Sequence, residues 1–196
     1  MDSLSRERVL PLLRGRFGRD YRFEQECAST QRLLAGRAEG AVVATDFQSE
    51  GRGRLGRRWE APMGTSLLFS IALAPNVPAE RLPELSLVAG HAVADAVAEL
   101  AGVETEVKFP NDVLVNGKKV AGILAEASEG SVVLGVGVNV HQRASDLPAE
   151  TRHPVSSLVL ESGRAVDRAE LLAEILARLE TAYRDWTVRL RLPAGS

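Results

Sequence analysis

Asn116 and Gly117 sit between two apolar runs, VLV at 113–115 and KKVAGILAEAS at 118–128, and no other feature narrows the fold as much. An Asn-Gly pair so placed is the strongest short-range hairpin signal, because both turn positions need positive φ. The run SVVLGVGVNV at 131–140 adds a further strand to this pair. Upstream, strands are predicted at 21–26, 40–47, 65–73 and 103–110, the last broken by Pro110. Helical spacing marks 83–102, which stops at Gly102, and a helix from Asp167, whose carboxylate forms a capping box with Glu170. Its buried face should carry Leu171, Leu172, Ile175, Leu176, Leu179, Tyr183 and Trp186. STQRLLAGRAEG at 29–40 reads as another helix, capped by Ser29 or Thr30. Residues 141–166 look irregular, with a short helix around 156–162. Hairpin-linked strands with helices between groups make an α+β domain: a mixed, largely antiparallel sheet covered by helices. It should span 21–190, behind a basic segment, 1–20, whose amphipathic part (4–17) lies on the domain as a solvated helix.

Charge narrows the partners. The 196-residue chain carries 24 basic and 26 acidic side chains, a net charge of -2. A general nucleic-acid binder is basic overall, so none is expected here. The single cysteine, Cys27, excludes an internal disulfide and a multi-cysteine zinc site, and reads as a small buried filler in a reducing compartment. The first residues are too charged for a signal peptide, and no apolar run reaches the ~20 residues that span a bilayer. A soluble, cytoplasmic protein is expected. Among the histidines, His91 reads as a packing residue, and His141 and His153 lack partners at metal-ligand spacing, so no metal site is expected within the protein.

Against that balance, SEGRGRLGRRW at 49–59 is a local device: Arg52, Arg54, Arg57 and Arg58 among glycines, closed by Trp59. Glycines let backbone approach a ligand, and guanidinium forks suit phosphate or carboxylate. The stretch reads as an anion clamp, mobile while empty because its charges repel. A solvated basic turn and a nucleic-acid contact are the other readings of the same residues. A second constellation lies at 108–126: Lys108, then Asn111 and Asp112 at a strand end, then Lys118 and Lys119 returned by the hairpin, then Gly122 where a ligand can lie against the sheet. Amide, carboxylate and lysine are the parts that phosphoryl or nucleotidyl transfer uses. Turn capping and solubility are the plainer readings of the same residues.

Together these stretches resemble the biotin protein ligase family. The family's loop, G-R-G-R-x-G-R and then tryptophan, is matched by Gly51, Arg52, Gly53, Arg54, Gly56, Arg57 and Trp59. K-W-P-N-D is matched by KFPND, with Phe109 for tryptophan, and K-x-A-G-I-L by Lys119, Ala121, Gly122, Ile123 and Leu124. ASTQ stands for D-S-T-N, with Ala28 and Gln31 departing from it. GVGVNV at 135–140 and RDW at 184–186 match later stretches.

The resemblance implies the class II synthetase-like biotin–lipoate ligase fold and a two-step reaction. Biotin's carboxylate attacks the α-phosphorus of ATP, with Mg²⁺, giving biotinyl-5'-AMP and pyrophosphate. A lysine of a biotin carboxyl carrier protein then displaces AMP. It further implies that Ser29, Thr30, Gln48, Gly51, Arg52, Arg54 and Gly122 bind biotin. Arg52, Arg57, Trp59, Asn111, Lys119 and Asn139 would meet the nucleotide. Lys119, Arg54 and Asp112 would be catalytic, Asp112 orienting or deprotonating the incoming amine. A homodimer is implied too. The family's DNA-binding winged helix and C-terminal small β-barrel are not expected in this sequence, so a repressor role is not either. Two rivals remain: a lipoate–protein ligase, against which the arginine-glycine loop speaks, and a biotin- or adenylate-binding protein without efficient turnover.

Overall fold

A computed structural model describes residues 2–128, 131–148 and 153–191. Seven strands form a single sheet in the order β1-β2-β3-β7-β6-β5-β4. They are β1 (Tyr21–Cys27), β2 (Val42–Gln48), β3 (Ser66–Leu73), β4 (Thr105–Lys108), β5 (Asp112–Val115), β6 (Lys118–Ser128) and β7 (Ser131–Asn139). Only β1 and β2 run parallel; every other neighbouring pair is antiparallel. The fold class is the α+β arrangement expected. The helices are α1 (Arg6–Val9), α2 (Leu85–Ala101), α3 (Leu158–Ser162) and α4 (Arg168–Arg191).

Period-two alternation sorts the central strands between two faces. On β7, Val132, Leu134, Val136 and Val138 enter the main core, as do Leu67, Phe69, Ile71 and Leu73 of β3. The same core takes Leu171, Leu172, Ile175, Leu176, Leu179, Tyr183 and Trp186 from α4, the stripe read from the sequence. Leu4, Val9, Leu13 and Phe17 are buried there too, so the N-terminal segment contributes to the core rather than only resting on it. The opposite face receives what the alternation leaves over: Gly135, Gly137 and Asn139 from β7, Ser70 from β3, and Gly122 from β6. Small residues across three adjacent strands leave a shallow trough there.

Two hairpin details position the site. Asn116 (φ 50°) and Gly117 (φ 73°) form the expected tight turn. Beyond it the β5–β6 register slips: Val113 faces Ala121 but Leu114 faces Lys119, so Val120 is an extra residue. A bulge of this kind re-aims side chains. Adjacent on β6, the two lysines point to opposite faces: Lys118 pairs with Glu161 at 2.8 Å, whereas the bulge sets Lys119 on the face of Gly122, where it pairs with Asp112 at 2.7 Å. The two lysines do not share a neighbourhood, as their adjacency had suggested. Burial pushes the Glu161 carboxyl up, but hydrogen bonds from Lys118, Ser156 and Asn116 outweigh it and hold it below its ordinary value.

The helix expected over 29–40 is absent; only the turn Arg32–Leu34 winds, as a 3₁₀ helix. One of its two expected caps, Thr30, is engaged elsewhere. The Thr30 N–H donates to Gln48 Oε1 at 2.8 Å, and the Thr30 hydroxyl lies 2.7 Å from that of Ser70. Tertiary hydrogen bonds have overridden local propensity. At the start of α4, Asp167 Oδ1 accepts from the N–H groups of Ala169 and Glu170, the N-cap half of the box; Glu170 itself leans toward Arg8 at 3.8 Å. His91 is exposed rather than packed. The irregular stretch 141–166 includes a short turn at Ala144–Asp146 and α3, while its residues 149–152 lie outside the described residues.

Candidate active site

The arginine stretch folds into a miniature hairpin. Trp59 N–H donates to the Gly51 carbonyl at 3.0 Å, Gly53 N–H to the Arg57 carbonyl at 2.8 Å, and Arg52 and Arg58 form a bridge. Leu55 and Gly56 turn the chain at positive φ. Gly51 lies so close to the Trp59 carbonyl that a Cβ there would collide with backbone. The arginines do not face one another; they fan out. Arg52 pairs with Glu126 of β6 at 2.8 Å, Arg54 donates to Asn111 Oδ1 at 3.2 Å, and Arg58 donates to the Ser49 carbonyl at 2.8 Å. These contacts tie Arg52, Arg54 and Arg58 to three different places around the trough. The hairpin lies across the trough, tied to β6 on one side and to the KFPND turn on the other. Asn111 completes the tie: its Nδ2 donates to the Ile123 carbonyl at 3.0 Å, and its own carbonyl accepts from Ile123 N–H at 2.9 Å.

The Trp59 indole rests on the glycine floor. A Cβ on Gly137 would fall 2.7 Å from its Cε2, and one on Gly122 would fall 3.1 Å from its Cζ3 and 3.2 Å from Lys119 Nζ. Lys119 Nζ stands 5.8 Å from the indole centroid, within cation–π range. The lysine backbone is clamped from outside: its N–H donates to the Pro154 carbonyl at 2.8 Å and its carbonyl accepts from Ser156 N–H at 2.9 Å. The ion pair with Asp112 is at contact distance but is not aligned as a hydrogen bond, which leaves Asp112 Oδ1 buried without one. The buried Trp59 Nε1 is likewise without an acceptor. A buried donor and acceptor left open beside a lysine are groups that a polar ligand would satisfy.

Lys119 and Trp59 separate two cavities and line both. The inner one, about 490 Å³ of empty space open to solvent, is lined by Thr30, Gln48, Arg52, Arg54, Asn111 and Gly122 among others. The outer one, about 720 Å³, is lined by Arg57, Asp112, Asn139, Pro148, His153 and Val155 among others. Most of the residues singled out from the sequence therefore converge. Arg52 and Asn111, expected at the nucleotide, border the inner cavity. Ser29 is buried and Gly51 supports the hairpin, and neither lines either cavity. Asn139 reaches the outer wall, but its Nδ2 donates to the Ser156 carbonyl at 3.0 Å and its Oδ1 accepts from Gln142 at 2.9 Å.

Several inner-cavity residues were not singled out as site residues from the sequence, among them Ser70, Gln31, Gly135 and Gly137. Ser70 braces Thr30, and Gln31 covers Gly135, where a Cβ would lie 3.0 Å from its Cδ. Gly135 and Gly137 were noted as part of a motif; their period-two spacing was the signal that they form a floor. His153, read from the sequence only as lacking metal-ligand partners, lines the outer cavity and lies 3.2 Å from Lys108 Nζ, and His141 lies 2.8 Å from Asp2. No group of three or more His, Cys, Asp or Glu side chains poised for a metal ion occurs among the described residues.

A glycine-floored trough roofed by an arginine hairpin is the candidate site of this α+β domain. The sequence profile of the "Biotin/lipoate A/B protein ligase family" matches residues 22–142, and the chain belongs to that family. It is 41% identical over 153 residues to the "Bifunctional ligase/repressor BirA" of Bacillus subtilis, covering 76% of this chain and 47% of that protein. It is 37% identical over 174 residues to the "Biotin--[acetyl-CoA-carboxylase] ligase" of Paracoccus denitrificans, covering 83% of this chain and 69% of that one. The structure of "Biotin protein ligase from Aquifex aeolicus in complex with biotin and ATP" superposes with a TM-score of 0.79 at 34% identity, over 87% of this chain and 73% of that one. The chain spans about half the length of the Bacillus relative.

Proposed function

We propose that the protein is an ATP-dependent ligase that converts biotin to biotinyl-5'-AMP and passes the biotinyl group to a lysine of a biotin carboxyl carrier protein. One observation carries this reading. Lys119 Nζ stands in the wall common to both cavities, where an acid held in the inner one and an α-phosphate held in the outer one would meet. The names of the relatives agree, pairing biotin ligation with bound biotin and ATP.

On this proposal the cavity-lining residues take the following roles. In the inner cavity Thr30, Gln48 and Ser70 offer hydroxyl and amide groups to a ureido ring, over the floor of Gly122 and Gly137. Adenylation brings a carboxylate to a phosphate, and both are anionic. Lys119, Arg52 and Arg54 lower that repulsion in a site partly shielded from water. Lys119 is paired with Asp112 at 2.7 Å, so a ligand carboxylate must share the ammonium or draw it away. Once Lys119 turns to ligand, Asp112 is free to accept a hydrogen bond from an incoming amine. Arg57 reaches the outer cavity, where phosphates would sit, and Trp59 presents an aromatic face to a base. Magnesium is usually held by substrate phosphates and one or two carboxylates, which fits a site whose carboxylate nearest Lys119 is Asp112. When bound, it would supply further neutralisation of phosphate charge. A homodimer paired through this sheet and the loops around the site belongs to the same proposal, as does a domain over 21–190. Among the described residues no helix is long and apolar enough to cross a membrane.

The test is incubation with biotin, Mg·ATP and a carboxyl carrier domain, read by intact mass. The carrier should gain one biotinyl group, and pyrophosphate should appear only when biotin is present. Pyrophosphate with lipoate but not with biotin would replace the reading with a lipoate ligase. Biotin binding without pyrophosphate would leave a binding protein.

A further inference from the structure

We infer that Arg168, the first residue of α4, is a positioning residue that closes the neck of the arginine loop and so sets where the inner cavity's ligands lie. Its side chain is 3% exposed, and a guanidinium so buried needs several partners. Nε donates to Asp2 Oδ2 at 2.7 Å, and Nη1 donates to Asp46 Oδ1 at 2.8 Å and to the Ser66 carbonyl at 3.1 Å. Asp46 is near the end of β2 and Ser66 begins β3, so the contacts bracket residues 47–65, which include Gln48, the arginine hairpin and Trp59.

The placement coincides with a gap in the sheet. Pairing of β2 with β3 runs from Val42↔Ile71 to Thr45↔Leu68 and then stops. Beyond that point the strands part, and Arg168 supplies the cross-links that the ladder no longer makes. One backbone bond assists it, from Gly64 N–H to the Asp46 carbonyl at 2.9 Å. The brace continues to the outer cavity: the Ser66 hydroxyl accepts from Gln142 at 2.5 Å, and the same amide donates to Asn139 at 2.9 Å. Arg168 lines neither cavity. Stability alone does not account for it, because a buried ionic cluster is often no better for a fold than apolar packing.

The kinetic arm of the test rests on the ligase reading; the proteolytic arm does not. Asp46→Asn keeps the shape and removes the charge, and Arg168→Met removes the brace outright. The loop carries trypsin sites at Arg52, Arg54, Arg57 and Arg58, so cleavage there, read by mass, reports opening of the neck. Asp46→Asn should speed cleavage at these sites about tenfold, the effect of weakening one charge-assisted hydrogen bond, with cleavage elsewhere unchanged. The KM for biotin should rise about tenfold, while kcat at saturation stays within about twofold. Arg8→Ala, which breaks a surface pair between α1 and Asp167 at the start of α4, should change neither. Loop cleavage no faster than in the unaltered protein, with biotin KM unmoved, would overturn the inference. Faster loop cleavage in a protein that never biotinylates a carrier would sustain the brace and defeat the ligase reading.

Discussion

Replacing Gly137 with alanine should separate catalysis from stability. The added Cβ would lie 2.7 Å from Trp59 Cε2 and 2.8 Å from Cζ2. Carbon atoms prefer separations of about 3.5–4.0 Å, so the indole must retreat by roughly 1 Å. Its backbone cannot follow freely, because Trp59 N–H is bonded to the Gly51 carbonyl at 3.0 Å. The ring should therefore tilt, altering the wall shared by both cavities. A misplacement of that size can cost about 10²-fold, or ~2.7 kcal/mol of transition-state stabilisation. Stability should hardly change. Gly137 lies in a strand without positive φ, so alanine gains about 0.4–1 kcal/mol through the unfolded chain, offset by lost ring contacts. Gly117→Ala is the mirror case. Nothing lies within 4 Å of its Cβ position, but φ is +73°. It should cost about 1 kcal/mol and lower Tm by about 2–4 °C while leaving activity intact. Biotin-dependent pyrophosphate release, biotin affinity by calorimetry and thermal melting read all three quantities. A Gly137→Ala protein with unchanged biotin affinity and turnover would refute the indole's place in the wall.

Lys119→Ala should lower biotin-dependent pyrophosphate release by about 10²–10³-fold, the usual effect of deleting one group that stabilises developing charge, while Lys118→Ala leaves it near normal. Single-turnover assays would check the contrast, and equal losses would undo the argument from the bulge. Asp2 gives a pH prediction. Burial raises its pKa, but hydrogen bonds from His141 and Arg168 outweigh that and bring it down from 3.8 to about 2. A carboxyl lowered in the folded state stabilises above its unfolded pKa and loses that contribution as pH falls through the folded one. Asp2→Asn should accordingly cost about 2 kcal/mol at pH 5–7 and progressively less between pH 4 and 2, measured by urea unfolding across that range.

Much of this was readable beforehand, and particular residues show why. LGVGVNV at 134–140 alternates strictly, which reads as a strand with one apolar face, and the same alternation grouped Gly135, Gly137 and Asn139. Asn116-Gly117 left little choice of turn. The meeting of arginine loop and KFPND turn was implied by family pattern, not by anything local. What stayed hidden depends on long-range partners. Thr30 looked like a helix cap because nothing near it in sequence reveals Gln48 and Ser70. The register slip that puts Lys119 on the same face as Gly122 leaves no trace in composition. Arg168 has no periodic or motif signature either; the capping pattern drew attention to its neighbour Asp167 instead.

One lysine and one indole serve as a partition for two chambers, so on the ligase reading a guest in one would touch a wall of the other. A guest that pulls the ammonium off Asp112 from the inner side leaves the outer side with a freed carboxylate and a resettled ring. By thermodynamic reciprocity, any factor by which the acid alters affinity for the nucleotide must equal the factor by which the nucleotide alters affinity for the acid. On the proposed ligase reading, coupling between acid and nucleotide would run through the partition itself, without any distant relay.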